Sequence, residues 1–460
     1  MTEGLPTPRR FYAILAISFG TALVVIDGAI ATVALPTIAR DMQVDNAAAV
    51  TVITIYQLVL VMTLLPFSAI GERIGLRRLY QIGQLIFTVA TALCFFANSL
   101  PFLLLIRAVQ ALGAAAALSV SSALIRATYP AERLGSGLGI NSVVVSSAAA
   151  LAPTLGGLVL AVGPWPWVFA SAVPFAIISL LLGRFLPEPE PREEPFDVIG
   201  GILCAAMFGL IIGGAESAVH GDSPIVSAAI VAAGAMVAVA FVRRERSEAK
   251  PILPIDLLAR PIFALSTTAS FVVFIAQQLL IVSLPFRLQH GFGFSPSEVG
   301  AVIAPWPLTT MFVAPISGWL SDRFPAAILG GIGMTIAIAA LLALAWLPAD
   351  SGWWDIAWRM ALCGAGFGMF LSPNARLQIA AAPRERAAAA GGMISTTRLV
   401  GQTTGATAIA ALLALGVGSG EVPPLAAAGL ALFAGLCSVA RLDPRVDVRR
   451  RGERVSEPRS

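Results

Sequence analysis

Long apolar runs recur along the whole of this 460-residue chain, and the first, at 11–38, contains one charged residue, Asp27. A helix needs roughly 20 apolar residues to cross the ~30 Å hydrocarbon core of a bilayer. Apolar residues make up 57% of the sequence and charged residues 12%. Soluble domains contain about 45–50% apolar and about 25% charged residues. These features predict an all-α integral membrane protein with the lipid bilayer as its surroundings.

Fourteen membrane spans are predicted from the apolar runs, and we number them in chain order. Their bounds are 11–36, 48–69, 79–97, 101–125, 137–162, 167–186, 197–215, 224–242, 262–286, 297–320, 327–347, 355–380, 389–415 and 424–440. An even number places both termini on one side, and a cytoplasmic N-terminus puts most of the arginines in the inner segments, as the positive-inside rule requires. We therefore expect a multi-pass protein of the inner (plasma) membrane with both termini in the cytoplasm.

An internal repeat divides the spans into two sets. Segment 68–78, after span 2, is matched by 318–324 after span 10, and Arg107 in span 4 is matched by Arg359 in span 12. Spans 1–6 and 9–14 are therefore predicted to form two six-helix bundles, and spans 7 and 8 an inserted two-helix hairpin. Repeated halves around a central site are typical of transporters. The predicted domains are the first bundle 1–186, the linkers and hairpin 187–260, the second bundle 261–441 and a basic tail 442–460.

Asp27 is the acid that the sequence places well inside a span. A carboxylate at such a depth is unfavourable by roughly 2.5–3.5 kcal/mol on insertion scales, and intramembrane acids are functional candidates by default. Counted by helix rise, Arg107 lies at a matching depth, so the two can pair if spans 1 and 4 are neighbours. Gln110, one turn after Arg107, could add hydrogen bonds. Three interpretations stay open: a proton site tuned by an arginine, a static ion pair, and an acid that snorkels to the interface.

Other mid-span side chains could surround a substrate. The predicted cavity residues are Tyr56, Gln57, Gln110, Gln277, Trp306 and Arg398. Each alone is also compatible with packing. Arg398 in span 13 has two competing roles, a hydrogen-bonded strut within the second bundle or a charge in the cavity.

Two further motifs suggest conformational roles. The loop after span 2 and its repeat copy are predicted to form a cytoplasmic latch, comprising Glu72, Arg73, Gly75, Arg77, Arg78, Asp322 and Arg323. The alternative for this loop is a simple positive-inside anchor. In span 5, Pro153, Gly156 and Gly157 would let the helix bend and approach a neighbour closely, although ordinary small-residue packing explains them as well.

Several of these motifs resemble those of the major facilitator superfamily, in particular its fourteen-helix branch of drug:proton antiporters. The segments that carry the resemblance are DGAIATVALP at 27–36, SAIGERIGLRR at 68–78, RAVQALG at 107–113, APTLGG at 152–157 and RLVGQTTG at 398–405. Within them Ser68, Glu72, Ala111 and Ala152 depart from the family pattern.

The resemblance covers essentially the whole chain and implies alternating access around a central cavity that holds Asp27 and Arg107. It implies proton-coupled export of lipophilic, cationic, drug-like compounds, with the proton gradient as the energy source. The alternatives are transport of an organic anion or metabolite bound by Arg398 or Arg107, and a receptor or membrane enzyme on a transporter fold.

Other classes of protein lack their motifs in this sequence. The one lysine, Lys250, stands between Ala249 and Pro251, so no P-loop is present. The sequence has no H-E-x-x-H motif, and its four cysteines lie far apart within apolar runs, which argues against a metal site or a disulfide framework. No basic face interleaved with aromatic residues suggests nucleic-acid binding. We expect a monomeric transporter of small molecules and protons without enzymatic activity, cofactor or metal.

Overall fold

The computed structural model describes residues 5–130, 133–188, 197–219, 221, 223–248, 253–348, 350–383 and 386–442. The regular secondary structure in these ranges is helical throughout. The α-helices are α1 Thr7–Asp41, α2 Asn46–Ile74, α3 Leu76–Leu93, α4 Leu100–Thr128, α5 Leu134–Val162, α6 Pro166–Ala170, α7 Val173–Leu182, α8 Val198–Val219, α9 Pro224–Ser247, α10 Pro261–Phe286, α11 Pro296–Ile303, α12 Pro305–Leu320, α13 Ala326–Ala345, α14 Trp353–Ala381, α15 Ala387–Ala414 and α16 Val422–Ala440.

Each predicted span has a helix, or a pair of short helices, at its position. Span 6 is formed by α6 and α7, and span 10 by α11 and α12, which are separated at Ala304. Pro305 follows that break, and a proline cannot donate a backbone hydrogen bond to the preceding turn. The all-helical membrane fold is thereby confirmed.

Twelve spans in the described residues are long and apolar enough to cross a membrane. The helices at predicted spans 12 and 13, α14 and α15, are long but are not among these twelve. Arg359 and Asn374 make α14 more polar, and Arg398 and Gln402 do the same for α15.

Local backbone and capping features explain how the first three spans are joined. The Asp45 carboxylate accepts a hydrogen bond from the Ala48 amide at 2.6 Å and so begins α2. Gly75 ends α2 with φ +106°, a conformation that residues with a Cβ rarely adopt, and α3 begins directly after it.

One compact unit comprises residues 1–252, 281–304 and 406–419. Its core is built by α1 packed against α4, α5 and α7, and by α3 packed against α4 and α7. Tyr80 on α3 donates a hydrogen bond to the Ala16 carbonyl of α1 at 2.6 Å. The inserted hairpin, α8 and α9, packs against α2, where a Cβ on Gly209 would lie 2.9 Å from Met62 Cε.

The second compact unit comprises residues 253–280, 305–405 and 420–460. Within it, α14 packs against α12 and α13, and α16 against α13. Arg441, just after α16, is buried and donates to Asn374 Oδ1 at 2.6 Å and to Ser438 Oγ at 3.2 Å. Burial lowers the pKa of Arg441 to about 10. This arginine is therefore enclosed by protein.

The domain boundaries inferred from the repeat stay a prediction. The predicted basic tail lies outside the described residues except for Leu442.

Candidate functional site

Asp27 is bound by two side chains of α4 inside the first unit. Arg107 Nη1 lies 2.5 Å from Asp27 Oδ2, and Gln110 Nε2 donates to Asp27 Oδ1 at 2.9 Å. Asp27 is 1% exposed, and Arg107 and Gln110 are fully buried. The structure therefore contains the ion pair that the matching depths in spans 1 and 4 suggested, and the Asp27 carboxylate does not reach the surface.

The helix geometry explains why α4 supplies both partners. Arg107 and Gln110 are three residues apart and so project from the same face of the helix. Arg107 Nε donates to the Val52 carbonyl of α2 at 3.2 Å. Its guanidinium carbon lies 4.2 Å from the centre of the Tyr56 ring and 5.2 Å from that of Phe169, and such aromatic faces stabilise a cation.

Two buried polar atoms at this pair have no hydrogen-bond partner among the described residues, Arg107 Nη2 and Tyr56 Oη. The first is a donor, and the second can donate or accept. The site can therefore offer donors to a hydrogen-bond acceptor while Arg107 still contacts Asp27.

The arrangement makes protonation and ion pairing compete. A carboxylate and a guanidinium in a low-dielectric interior stabilise each other, and removing one charge leaves the other unfavourably buried. Protonation of Asp27 removes its attraction for Arg107, which is then available to contact another anionic or acceptor group. The network can thus convert a proton on Asp27 into a change of partners for Arg107.

The other predicted cavity residues lie in varied surroundings. Gln57 is half-buried on α2, and its Oε1 is enclosed without a described partner. In the second unit, Gln277 is half-buried. Trp306 is 5% exposed and stacks on Phe367 with ring centres 5.2 Å apart, so it contributes to packing in this structure.

Arg398 is half-buried on α15. It forms no ion pair or hydrogen bond with another residue in the part of the chain that the structure describes. The strut that the sequence analysis considered therefore has no described partner here, and a role in the cavity stays a prediction.

The predicted latch residues of the first repeat lie at the turn between α2 and α3. Glu72, Arg73 and Arg78 are exposed. Arg78 Nε lies 3.2 Å from Glu188 Oε1, and both side chains are accessible to solvent. Arg77 is half-buried next to the Gly75 turn.

The repeat copy of the latch makes its own contacts. Asp322 forms an ion pair with Arg376 of α14, and Arg376 also donates to Ser321 Oγ at 2.8 Å. The guanidinium carbon of Arg323 lies 4.3 Å from the centre of the Trp319 ring. These contacts join the ends of helices within one unit, and the latch between the two halves stays a prediction.

Helix α5 approaches two neighbours closely at its predicted motif. A Cβ on Gly156 would lie 2.8 Å from Ile30 Cγ1 of α1, and a Cβ on Gly157 would lie 2.6 Å from the Pro296 carbonyl oxygen of α11. Conversely, a Cβ on Gly300 of α11 would lie 2.2 Å from the Pro153 oxygen. Both glycines of the motif are thus required for backbone contact with neighbouring helices.

The structure identifies one acid within a span that the sequence analysis missed. Glu216 lies on α8, one residue beyond the end predicted for span 7, and accepts a hydrogen bond from Thr407 Oγ1 of α15 at 2.6 Å. Glu216 is therefore a further acid within a membrane helix. A longer span 7 would have revealed it.

A polytopic helical membrane fold with a buried ion pair is typical of membrane transporters. Comparison with known families agrees. The model described as "Major Facilitator Superfamily" matches residues 17–406, with a further match over 267–458. The chain belongs to the major facilitator superfamily, and it is therefore a membrane protein of a transporter family.

Curated relatives cover most of the chain. It is 42% identical over 462 residues to "Uncharacterized transporter YebQ" of Escherichia coli (strain K12), covering 100% of this chain and 98% of that protein. It is 29% identical to "Riboflavin transporter RibZ" of Clostridioides difficile (strain 630), covering 85% of each. It is 28% identical to "Tetracenomycin C resistance and export protein" of Streptomyces glaucescens, covering 89% and 77%.

A solved structure shows the same fold. A bacterial homolog of the human lysosomal transporter Spinster, in an inward-facing and unoccupied conformation, superposes with a TM-score of 0.69. The alignment covers 95% of this chain and 98% of that chain at 20% sequence identity.

Proposed function

We propose that this protein is a proton-coupled antiporter of the inner membrane that exports lipophilic, cationic, drug-like compounds by alternating access. The observation that carries the proposal is the buried Asp27–Arg107 pair with Gln110 bound to the same carboxylate. In this proposal Asp27 carries the proton and Arg107 tunes it.

The proposed cycle follows from the competition for Asp27. With the carboxylate ionised, its charge and that of Arg107 balance, and the site accepts a cationic substrate. With the carboxylate protonated, the charge of Arg107 is uncompensated and repels the cation, which is released. Proton and cation therefore bind alternately, which is the requirement for exchange.

The other predicted residues have supporting roles in this proposal. Tyr56, Gln57, Gln277, Trp306 and Arg398 line the path of the substrate. The charged residues after α2 and α12 act as the latch, and the close contacts of α5 let that helix pivot. In this proposal the chain works as a monomer without a cofactor, and the proton gradient supplies the energy.

A relative named for tetracenomycin C resistance and export supports a drug-like substrate. The alternative, transport of an organic anion or metabolite, is supported by a different observation. Arg107 Nη2 and Tyr56 Oη are buried donors without a described partner, and they fit an acceptor oxygen of a substrate. A relative named as a riboflavin transporter agrees with this alternative.

The test is flux in proteoliposomes with an imposed pH gradient. Ethidium serves as the lipophilic cation and riboflavin as the oxygen-rich metabolite. We expect ethidium movement that collapses when the pH gradient is dissipated and that is absent in Asp27→Asn. Glu421→Gln is the control, because Glu421 is exposed at the start of α16. Riboflavin flux without ethidium flux would favour the alternative, and ethidium flux indifferent to the pH gradient would refute proton coupling.

A further inference from the structure

The Gln110 side chain is hydrogen-bonded at both ends of its amide. Its Oε1 accepts from Arg107 Nη1 at 2.6 Å. Its Nε2 donates to Asp27 Oδ1 at 2.9 Å and to Thr91 Oγ1 at 2.8 Å. Both hydrogens of the amide nitrogen are thus used, one on the carboxylate and one on the threonine.

The Thr91 hydroxyl has a fixed direction of its own. It donates its hydrogen to the Phe87 carbonyl, one turn earlier on α3, at 2.6 Å. Its oxygen can therefore only accept from Gln110, and an amide oxygen turned towards it would face another acceptor. Thr91 is fully buried, so the side of the Gln110 amide that faces it must be the nitrogen.

Close packing of α3 on α4 brings this short side chain within reach. A Cβ on Gly113 would lie 2.5 Å from the Phe87 nitrogen, and a Cβ on Gly83 would lie 2.7 Å from the Gly113 oxygen. The two backbones are in contact at these glycines. The glycine that ends the segment RAVQALG thus allows Gln110 of the same segment to meet Thr91.

From this geometry we infer that Thr91 is a positioning residue that keeps the Gln110 amide donor directed at Asp27 during the proton cycle. The inference rests on the proposed function, since it concerns how the proton site is tuned. Two of the groups that hold Gln110 change in that cycle, because Asp27 gains a proton and Arg107 then loses its counter-ion. The Thr91 hydroxyl does not titrate and keeps the amide in place.

The ionisable groups around Asp27 are few among the described residues. Arg107 of α4, Tyr56 of α2 and Cys94, directly after α3, lie within its electrostatic environment. Helices α5, α6 and α7, which also pack on α1, contain no ionisable side chain. Helix α11 contributes Glu298, which is exposed in its first turn. A change in the proton affinity of Asp27 after substitution of Thr91 would therefore act through Gln110.

Thr91→Val keeps the shape of the side chain and removes the hydroxyl. One hydrogen of the Gln110 amide then has no acceptor in a buried site, and the amide turns away from its present position. The ionised carboxylate of Asp27 loses a donor, so it takes up a proton at higher pH. We expect the midpoint, the pH at which Asp27 is half protonated, to rise by roughly half to one pH unit. This is the size of effect expected for the loss of one hydrogen bond.

Infrared difference spectroscopy of the full-length protein during pH titration measures that midpoint without any substrate. The Asp27 signal is the protonated-carboxyl band that Asp27→Asn removes. Thr91→Ser retains a hydroxyl and should restore the wild-type midpoint. Thr88→Val is the matched control, because Thr88 bonds to the Gln84 carbonyl on the same helix without contacting Gln110. Thr91→Ala, which is smaller, provides a second test if the valine variant folds poorly.

A higher midpoint in Thr91→Val or Thr91→Ala, with wild-type midpoints in Thr91→Ser and Thr88→Val, supports the inference. An unchanged midpoint in both Thr91→Val and Thr91→Ala overturns it, as does an equal shift in Thr88→Val. The proposed function fails by a different measurement, the absence of Asp27-dependent flux in wild-type proteoliposomes. The two failures are therefore distinguishable.

Discussion

Arg107 Nη1 lies 2.5 Å from Asp27 Oδ2, and neither side chain is exposed to solvent. A pair of this kind can be a permanent brace or a site that opens when the acid is protonated. The two possibilities predict different effects of neutralising Asp27 at nearly constant volume.

Asp27→Asn should fold with near-normal thermal stability and lose pH-driven transport. The asparagine can still accept a hydrogen bond from Arg107, and a site that cycles must tolerate a neutral partner. If the pair is only a brace, the variant leaves the charge of Arg107 buried without a counter-ion. The free energy of unfolding then falls by about 3–5 kcal/mol. Thermal unfolding in detergent, measured beside flux, separates these cases. A strongly destabilised protein would contradict the proton site, and so would a stable one with wild-type coupling.

Gly113→Ala should lower stability and also disturb the proton site. Its Cβ would lie 2.5 Å from the Phe87 backbone nitrogen, so α3 and α4 must separate. Overpacking of this type is destabilising by about 1–3 kcal/mol. Gly429→Ala on α16 is the control, since nothing lies within 4 Å of the added carbon. Thermal unfolding of both variants checks the prediction, and equal stability of the two would refute the tight contact.

Asp322→Asn should slow transport while substrate affinity changes by less than a few-fold. The substitution breaks the ion pair with Arg376, which is exposed and therefore worth about 1 kcal/mol or less in stability. The control is Asp41→Asn, which removes another exposed ion pair, with Arg40. Flux rates and equilibrium binding measured on the same preparations test this. Weakened binding at an unchanged rate would rule out a conformational role.

The start of the inserted hairpin should lose stability at acid pH. Asp197 precedes α8, where it accepts from the Gly200 amide at 2.9 Å and from Arg244 at 2.8 Å. The hydrogen bonds from Arg244 hold the pKa of Asp197 below its ordinary value. The contribution of Asp197 to the free energy of unfolding is therefore present above the ordinary aspartate pKa of about 3.9. It is lost as the pH falls through the lower pKa of the folded state.

Unfolding curves at neutral and acid pH test this point. The difference in stability between neutral and acid pH should be smaller in Asp197→Asn than in the wild type. It should persist in Asp45→Asn, because Asp45 also caps a helix but forms no ion pair with a described residue. An undiminished difference in Asp197→Asn would show that the pair does not contribute.

The positions of the helices and of the central ion pair could be predicted because both follow from axial spacing. Hydropathy locates each helix in the membrane, and the rise of ~1.5 Å per residue gives depth, which is enough to align Asp27 with Arg107. Neither hydropathy nor helix rise shows how each helix is rotated about its own axis, and so which side chains face a neighbour. Thr88 and Thr91 both lie in span 3, and only the packing of α3 on α4 shows that Thr91 faces Gln110.

Side-chain packing between helices could not be predicted from the sequence either. Trp306 was expected in a cavity, and its stacking on Phe367 depends on how α12 meets α14. Arg441 is buried after α16, and the hydrogen bond that it donates to Asn374 joins it to a residue 67 positions away.

The hydrogen bond between Glu216 and Thr407 makes the two repeats chemically unequal. Pro130 and Pro383 align the repeats at an offset of 253 residues (383 − 130), which pairs Thr407 with Thr154 of α5. Helix α5 packs on α1 and α11, whereas Thr407 is bound to a helix from outside the repeat. Any displacement of α15 must take α8 with it or break a bond to a carboxylate, a constraint that the repeat relation does not impose on α5. The inserted hairpin is therefore tied to α15 by a side-chain hydrogen bond, whereas α5 meets its neighbours through close backbone packing.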